Sequence, residues 1–148
     1  MLADIVIDTN VLVDAGNPGV ERQGASVLFS SCLLALTTKL KIDPDDLIVT
    51  EYLACLHAGS VGLAILQKLA ASDRLVSIDR ILAYRIKRKI TQLIANTRDR
   101  TFLCVAIESD DNLLVSHDFQ DFQTPRRIHI SREFGVDVVE AGEAQDRL

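Results

Sequence analysis

The sequence holds only three cysteines and three prolines, and no apolar run that could span a bilayer. Cys32, Cys55 and Cys104 cannot all pair with one another, and their wide spacing excludes a clustered Cys/His metal site. Each sits in an apolar, helix-like context, so they are expected to be small buried thiols of a reducing cytosol. The longest oily stretch, residues 27–36, is interrupted by Ser30, Ser31 and Cys32. It falls short of the ~20 residues a membrane helix needs. Residues 1–8 carry no basic leader and no cleavage site, so a signal peptide is not expected there. Glycine- or serine-rich linkers, repeats and low-complexity tracts are also lacking. With 148 residues, about half of them apolar, the expectation is one domain over residues 1–148, cytoplasmic and without a membrane partner.

Charge is unevenly placed. The formal net charge of −5 argues against an indiscriminate nucleic-acid coat. Residues 80–96 nevertheless hold five basic side chains and no acidic one, and Arg98 and Arg100 then flank Asp99. The acids concentrate at Asp43 to Asp46, in Glu108-Ser-Asp-Asp and in the C-terminal tail.

Local patterns suggest the elements. Asp4-Ile-Val-Ile reads as a strand, ending in a turn at Asp8-Thr-Asn. Residues 21–40 read as one helix. Asp43-Pro-Asp-Asp is a helix start, with a helix running to about Ala58 and Gly59 as its stop. A second helix is expected over 60–72 and a strand over 75–78. Further helices are expected from a cap at Asp79 to Ala95, and from a cap at Thr97 to about Ser109. Strands are read at 113–116, 127–130 and 136–139. Strands alternating with helices of this length predict an α/β chain: a three-layer α/β/α sandwich around a central, mainly parallel sheet. In such sheets, sites form beyond the carboxyl ends of the strands. That places Asp8 and Asp118 at one edge.

Taken singly, each acid has an ordinary explanation. Asp8 suits a turn. Asp99 suits the positive end of a helix dipole. Glu51 sits among Ile48, Val49, Tyr52, Leu53, Cys55 and Leu56, where a carboxylate either needs a metal or basic partner or occupies a polar stripe facing water. Asp118 is followed three residues later by Asp121, interleaved with Phe119 and Phe122, aromatics expected to anchor the loop and not to serve as base-stacking platforms. Taken together the acids fit a site of hard oxygen ligands for Mg2+ or Mn2+. Such an ion can activate water and stabilise an in-line phosphoryl displacement.

The segments Ile5-Val-Ile-Asp8-Thr-Asn10-Val-Leu-Val, Ile48-Val-Thr-Glu51-Tyr-Leu, Asp99-Arg-Thr-Phe-Leu-Cys-Val-Ala106 and Leu114-Val-Ser116-His-Asp118-Phe-Gln-Asp121-Phe122 occur in that order. Asp118 stands nineteen residues after Asp99. The set resembles the acidic motifs of the PIN-domain family of metal-dependent ribonucleases, over essentially the whole chain. Two departures stand out. Ser116-His117 replaces the family's frequent threonine and arginine, and Glu108-Ser-Asp-Asp replaces small neutral residues.

The resemblance implies a catalytic set of Asp8, Glu51, Asp99 and Asp118. The metal would be held by Asp8, Asp99 and Asp118, with Asp121 as a neighbouring acid, and Asn10 and Ser116 would orient a carboxylate or a bound water. The implied activity is hydrolysis of RNA phosphodiester bonds. A toxin role would add an antitoxin protein that plugs the site.

Substrate contacts are expected from Arg85, Arg88 and Lys89, which share a helical face with Gln92, and from Arg98 and Arg100. Thr124-Pro-Arg126-Arg127 is a second basic candidate. His57, His117 and His129 are read as structural or exposed. A homodimer through the oily helix 26–36 is also expected. The alternative class is a non-catalytic PIN-like module that binds RNA or protein. An aspartate-nucleophile phosphatase would need a second acid where Asn10 stands.

Overall fold

The computed structural model describes residues 2–148. In chain order the elements are β1 (Asp4–Ile7), α1 (Thr9–Ala15), α2 (Gln23–Ala35), β2 (Lys39–Ile42), α3 (Leu47–Cys55), α4 (Val61–Ala71) and β3 (Leu75–Ser77). There follow α5 (Tyr84–Leu93), α6 (Thr97–Glu108), β4 (Leu113–Val115), α7 (Thr124–Phe134), β5 (Asp137–Val139) and α8 (Ala141–Gln145). The five strands form one all-parallel sheet in the order β3-β2-β1-β4-β5, with helices on both faces as a three-layer α/β/α sandwich. Ile5, Val6 and Ile7 of β1 and Leu113, Leu114 and Val115 of β4 are buried, as expected for strands covered on both sides.

The order of strands makes the site. From β1 the chain steps outward through β2 and β3, then returns to β4 on the other flank of β1 and continues to β5. The crevice at the carboxyl ends of β1 and β4 is therefore the switch point where α/β sheets hold ligands.

Four local expectations need correction. The helix read over 21–40 stops at Ala35, and Lys39–Ile42 is a strand whose Leu40 and Ile42 point inward. That alternation has period two, not the helical period. Asp8-Thr-Asn is not a free turn, because Thr9 begins α1 directly. Asp43 caps free amides as expected, but Pro44 does not lie in the first turn of the helix. The Asp43 carboxylate accepts from the Asp45, Leu47 and Ile48 amides at 3.1, 2.9 and 2.7 Å, and α3 begins only at Leu47. The strand read at 127–130 lies inside helix α7, opened by Pro125 in its first turn and closed by Gly135 at φ 73°.

Smaller differences follow the same logic. α5 starts at Tyr84 and not at Asp79. Asn96, not Thr97, caps α6, its Oδ1 accepting from the Arg98 amide at 2.9 Å. The cysteines are not buried thiols: Cys55 is exposed, and Cys32 and Cys104 are half-buried. Among the described residues no helix is long and apolar enough to cross a membrane.

Candidate metal centre

Asp8 leaves β1 and Asp118 follows β4, so the switch point brings them together although 110 residues separate them in sequence. Asp8 is buried, 3% exposed. Its Oδ2 accepts from Ser116 Oγ at 2.6 Å and from Asn10 Nδ2 at 2.9 Å. Ser116 Oγ in turn accepts from the Asp118 amide at 3.0 Å, and Asn10 Oδ1 from the His117 amide at 3.0 Å. Both side-chain bonds to Asp8 thus end on one oxygen. Oδ1 has no hydrogen-bond donor among the described residues.

Asp99, Asp118 and Asp121 each present a carboxylate oxygen, and these oxygens lie within 4.8 Å of one another. The Asp118 position is set by its own loop, where Oδ1 accepts from the Gln120 and Asp121 amides at 2.7 and 3.0 Å. Asp121 Oδ1 meets Arg126 Nη1 at 3.1 Å. Asp99 stands one turn into α6, 5% exposed, and its Oδ2 is buried with no hydrogen-bond partner. A buried polar atom without a partner costs about 1–3 kcal/mol, and more when charged.

The electrostatics follow. Burial, then contact with the Asp121 carboxyl, then the charges of Asp8, Asp118 and Asp121 push Asp99 up to about 8. Asp8 is pushed up to about 6, mostly by burial. The Ser116 and Asn10 bonds oppose that shift, while the charges of Glu51 and Asp118 add to it. Asp8 and Asp99 have no cationic partner among the described residues; the Arg126 guanidinium at the edge of the cluster pairs with Asp121.

Glu51 reaches the same crevice from α3. Its Oε1 accepts from Thr9 Oγ1 at 2.9 Å, and it is close enough to Asp8 to raise that residue's pKa. The next residue, the fully buried Tyr52, donates its hydroxyl to the Ile7 carbonyl and fastens α3 to the end of β1. Glu51 has neither a cationic partner nor a purely solvent-facing position. Thr9 was not visible in sequence as its partner, since Asp8-Thr-Asn has the same composition in a turn.

The donors are oxygen only, negative, and include one buried unpartnered atom. That set suits a hard divalent cation, and Mg2+ and Mn2+ fit it. No family model matches the chain, and no curated protein is significantly similar to it.

The basic candidates divide. Arg98 is exposed and lines a cavity of about 270 Å³ with Glu51, Thr97 and Thr101, beside the acids. Arg100 is not available, because Nε and Nη2 donate to the Ile94 and Ala95 carbonyls at 2.6 and 2.8 Å. Lys89 pairs with Glu133 of α7. Arg85 and Arg88 are exposed, but they precede the C-terminal end of α5, and it is that end which leads into α6 and Asp99. Lys87 already adjoins Cys104, which lies ~7.5 Å further along α6 at 1.5 Å per residue.

In the second basic segment, Arg126 is tied to Asp121 and to the carbonyls of Gln120 and Asp121. Arg127 donates to the carbonyls of Phe122, Ser116, Asp118 and Val138. It is a fastener of the loop that carries Asp118 and Asp121, a role that sequence offered only as a phosphate contact.

The histidines are not ligands of the cluster. His117 is buried, with Nδ1 2.7 Å from Asp14 Oδ2 and Nε2 accepting from the Ala141 amide at 3.3 Å. His57 and His129 are exposed.

Proposed function

We propose that this protein is a PIN-like, metal-dependent nuclease that hydrolyses RNA phosphodiester bonds. The observation that carries the reading is the buried, unpartnered Oδ2 of Asp99, gathered with Asp118 and Asp121 beside Asp8 at the switch point. A structural salt-bridge network would pair these acids with cations, whereas Arg126 pairs with Asp121 and leaves Asp8, Asp99 and Asp118 without a cationic partner among the described residues. Asp8, Asp99 and Asp118 would hold Mg2+ or Mn2+, with Asp121 flanking them. The ion, when bound, supplies Lewis acidity at a phosphoryl oxygen and lowers the pKa of water.

The rest is the work of side chains. Ser116 and Asn10 both hold Asp8 Oδ2, which fixes the carboxylate and leaves Oδ1 free to accept a ligand. Thr9 holds one oxygen of Glu51, leaving the other to accept a hydrogen bond from an attacking water. Arg98, at the rim, meets the phosphate backbone that the acids would otherwise repel.

The test is cleavage of single-stranded RNA in Mn2+ by the parent and by Asp8→Asn. The parent cleaves, and the variant loses metal-dependent cleavage while keeping its fold by circular dichroism. A variant that cleaves like the parent removes the catalytic assignment. A parent that binds Mn2+ and RNA without cleaving favours the non-catalytic module.

A further inference from the structure

The loop that carries Asp118 and Asp121 also exposes an aromatic ring that metal binding does not require. Phe122 is fully buried and anchors the loop, whereas Phe119, between the two acids, is 42% exposed. The guanidinium carbon of Arg22 lies 4.3 Å from its ring centroid, and that of Arg127 lies 5.1 Å away. Arg127 is fixed by its carbonyl partners. Arg22 has only an exposed ion pair with Glu140 at 4.0 Å, a contact of small energy that can be exchanged.

The ring stands at one end of a groove of about 470 Å³ between α7, β5 and α8, whose walls include Thr124, Ile128, Arg132, Val138 and Arg147. The acids along it are engaged within the protein. Asp137 accepts from Ser131 Oγ and pairs with Arg147, while Glu140 and Glu143 form the reciprocal cap of α8. The Arg132 guanidinium has no ion pair or hydrogen bond among the described residues. Cation–π contacts that merely hold the loop would account for Arg127. They do not account for a half-open ring that joins the acidic centre to a groove with an unmatched cation.

We propose that Phe119 is a stacking platform for a base of single-stranded RNA, which sets the adjoining phosphate over the acids. Arg22, released from the ring, meets a phosphate beside it, and Arg132 meets one along the groove. The proposal rests on the nuclease reading for its choice of RNA. Exposed aromatics interleaved with cations bind single strands in this way, and one stacked base is worth roughly 5- to 100-fold in affinity.

The chain has no tryptophan, so Phe119→Trp places a single fluorophore at the platform. A short labelled single-stranded RNA is titrated in EDTA, where cleavage is off, and binding is followed independently by anisotropy. Quenching of the indole should saturate with the same Kd as the anisotropy. Phe119→Ala should weaken binding by roughly 5- to 100-fold. With Mn2+ it should raise KM and also lower kcat, because the phosphate is no longer set over the acids. Phe119→Tyr should restore both. RNA that binds without quenching the indole, or that binds Phe119→Ala as tightly as the parent, overturns the platform. So does a parent that binds no RNA. Quenching without any Mn2+-dependent cleavage keeps the platform and removes the nuclease.

Discussion

Replacing Asp99 by asparagine should make the metal-free protein more stable at neutral pH. The side chain keeps its shape and loses its charge. Asp99 carries a folded-state pKa near 8 against an ordinary 3.8. A carboxyl whose folded pKa is raised favours the folded state while protonated. That advantage is lost as pH climbs from the unfolded value through the folded one. Between 3.8 and 7 lie about three pH units at 1.36 kcal/mol each, which sets an upper bound of roughly 4 kcal/mol.

The charges of neighbouring carboxylates contribute to the Asp99 shift, and interacting groups do not titrate independently, so relief at this one position is smaller, roughly 2 kcal/mol. For a chain of this size that is a rise in Tm of about 4–8 °C. The assay is thermal unfolding in EDTA at pH 5 and pH 7.5. The parent should lose stability between the two, and Asp99→Asn should lose less and melt higher at pH 7.5. Added Mn2+ should raise the parent's Tm and leave the variant's unchanged. A variant that melts lower than the parent at pH 7.5, with the parent's pH dependence intact, would refute the claim that Asp99 is buried among carboxylates without a cation of its own.

Other perturbations test the supports of the site. Asp43→Ala removes the acceptor of three amides at the start of α3 and should cost about 1–3 kcal/mol in urea denaturation, fraying the helix that carries Glu51. Gly62→Ala drives a methyl into the Leu12 carbonyl and within 2.8 Å of Leu56 Cδ2, and should destabilise by about 1–3 kcal/mol, read as a lower urea midpoint. Arg127→Met frees the carbonyls of Ser116 and Asp118 and should weaken Mn2+ binding by about 10- to 100-fold in calorimetry. An unchanged affinity would assign Arg127 to the fold alone.

Much of this architecture is written locally. Ile5-Val-Ile and Leu113-Leu-Val are β-branched or apolar runs closed by acids, and the alternation of strands with helices fixes their edge. Asp8 and Asp118 could therefore be gathered on paper, and the motif resemblance added Asp99. What failed has specific causes. Lys39-Leu-Lys-Ile is too short for its period of two to stand out beside the oily helix before it. Arg127-Ile-His-Ile imitates strand alternation, while Pro125 and Gly135 mark the helix around it. Asp8-Thr-Asn serves equally as a turn and as a helix start.

The arginines were least legible. Whether a guanidinium meets phosphate or backbone carbonyls depends on which loops the fold brings to it. Arg100 and Arg127 were read as substrate contacts and are bonded to backbone carbonyls instead. The same limit applies to Glu51, whose partner Thr9 lies 42 residues away in sequence.

The central claim is that Asp8, Asp99, Asp118 and Asp121 form a divalent-metal site. A crystal soaked in Mn2+ and measured for anomalous scattering tests it most directly. The account predicts a peak in contact with Asp99 Oδ2 and the Asp118 carboxylate, with Asp8 Oδ1 beside it, and no such peak in Asp99→Asn. Anomalous density that is absent there, or that persists in Asp99→Asn at the same height, would contradict it.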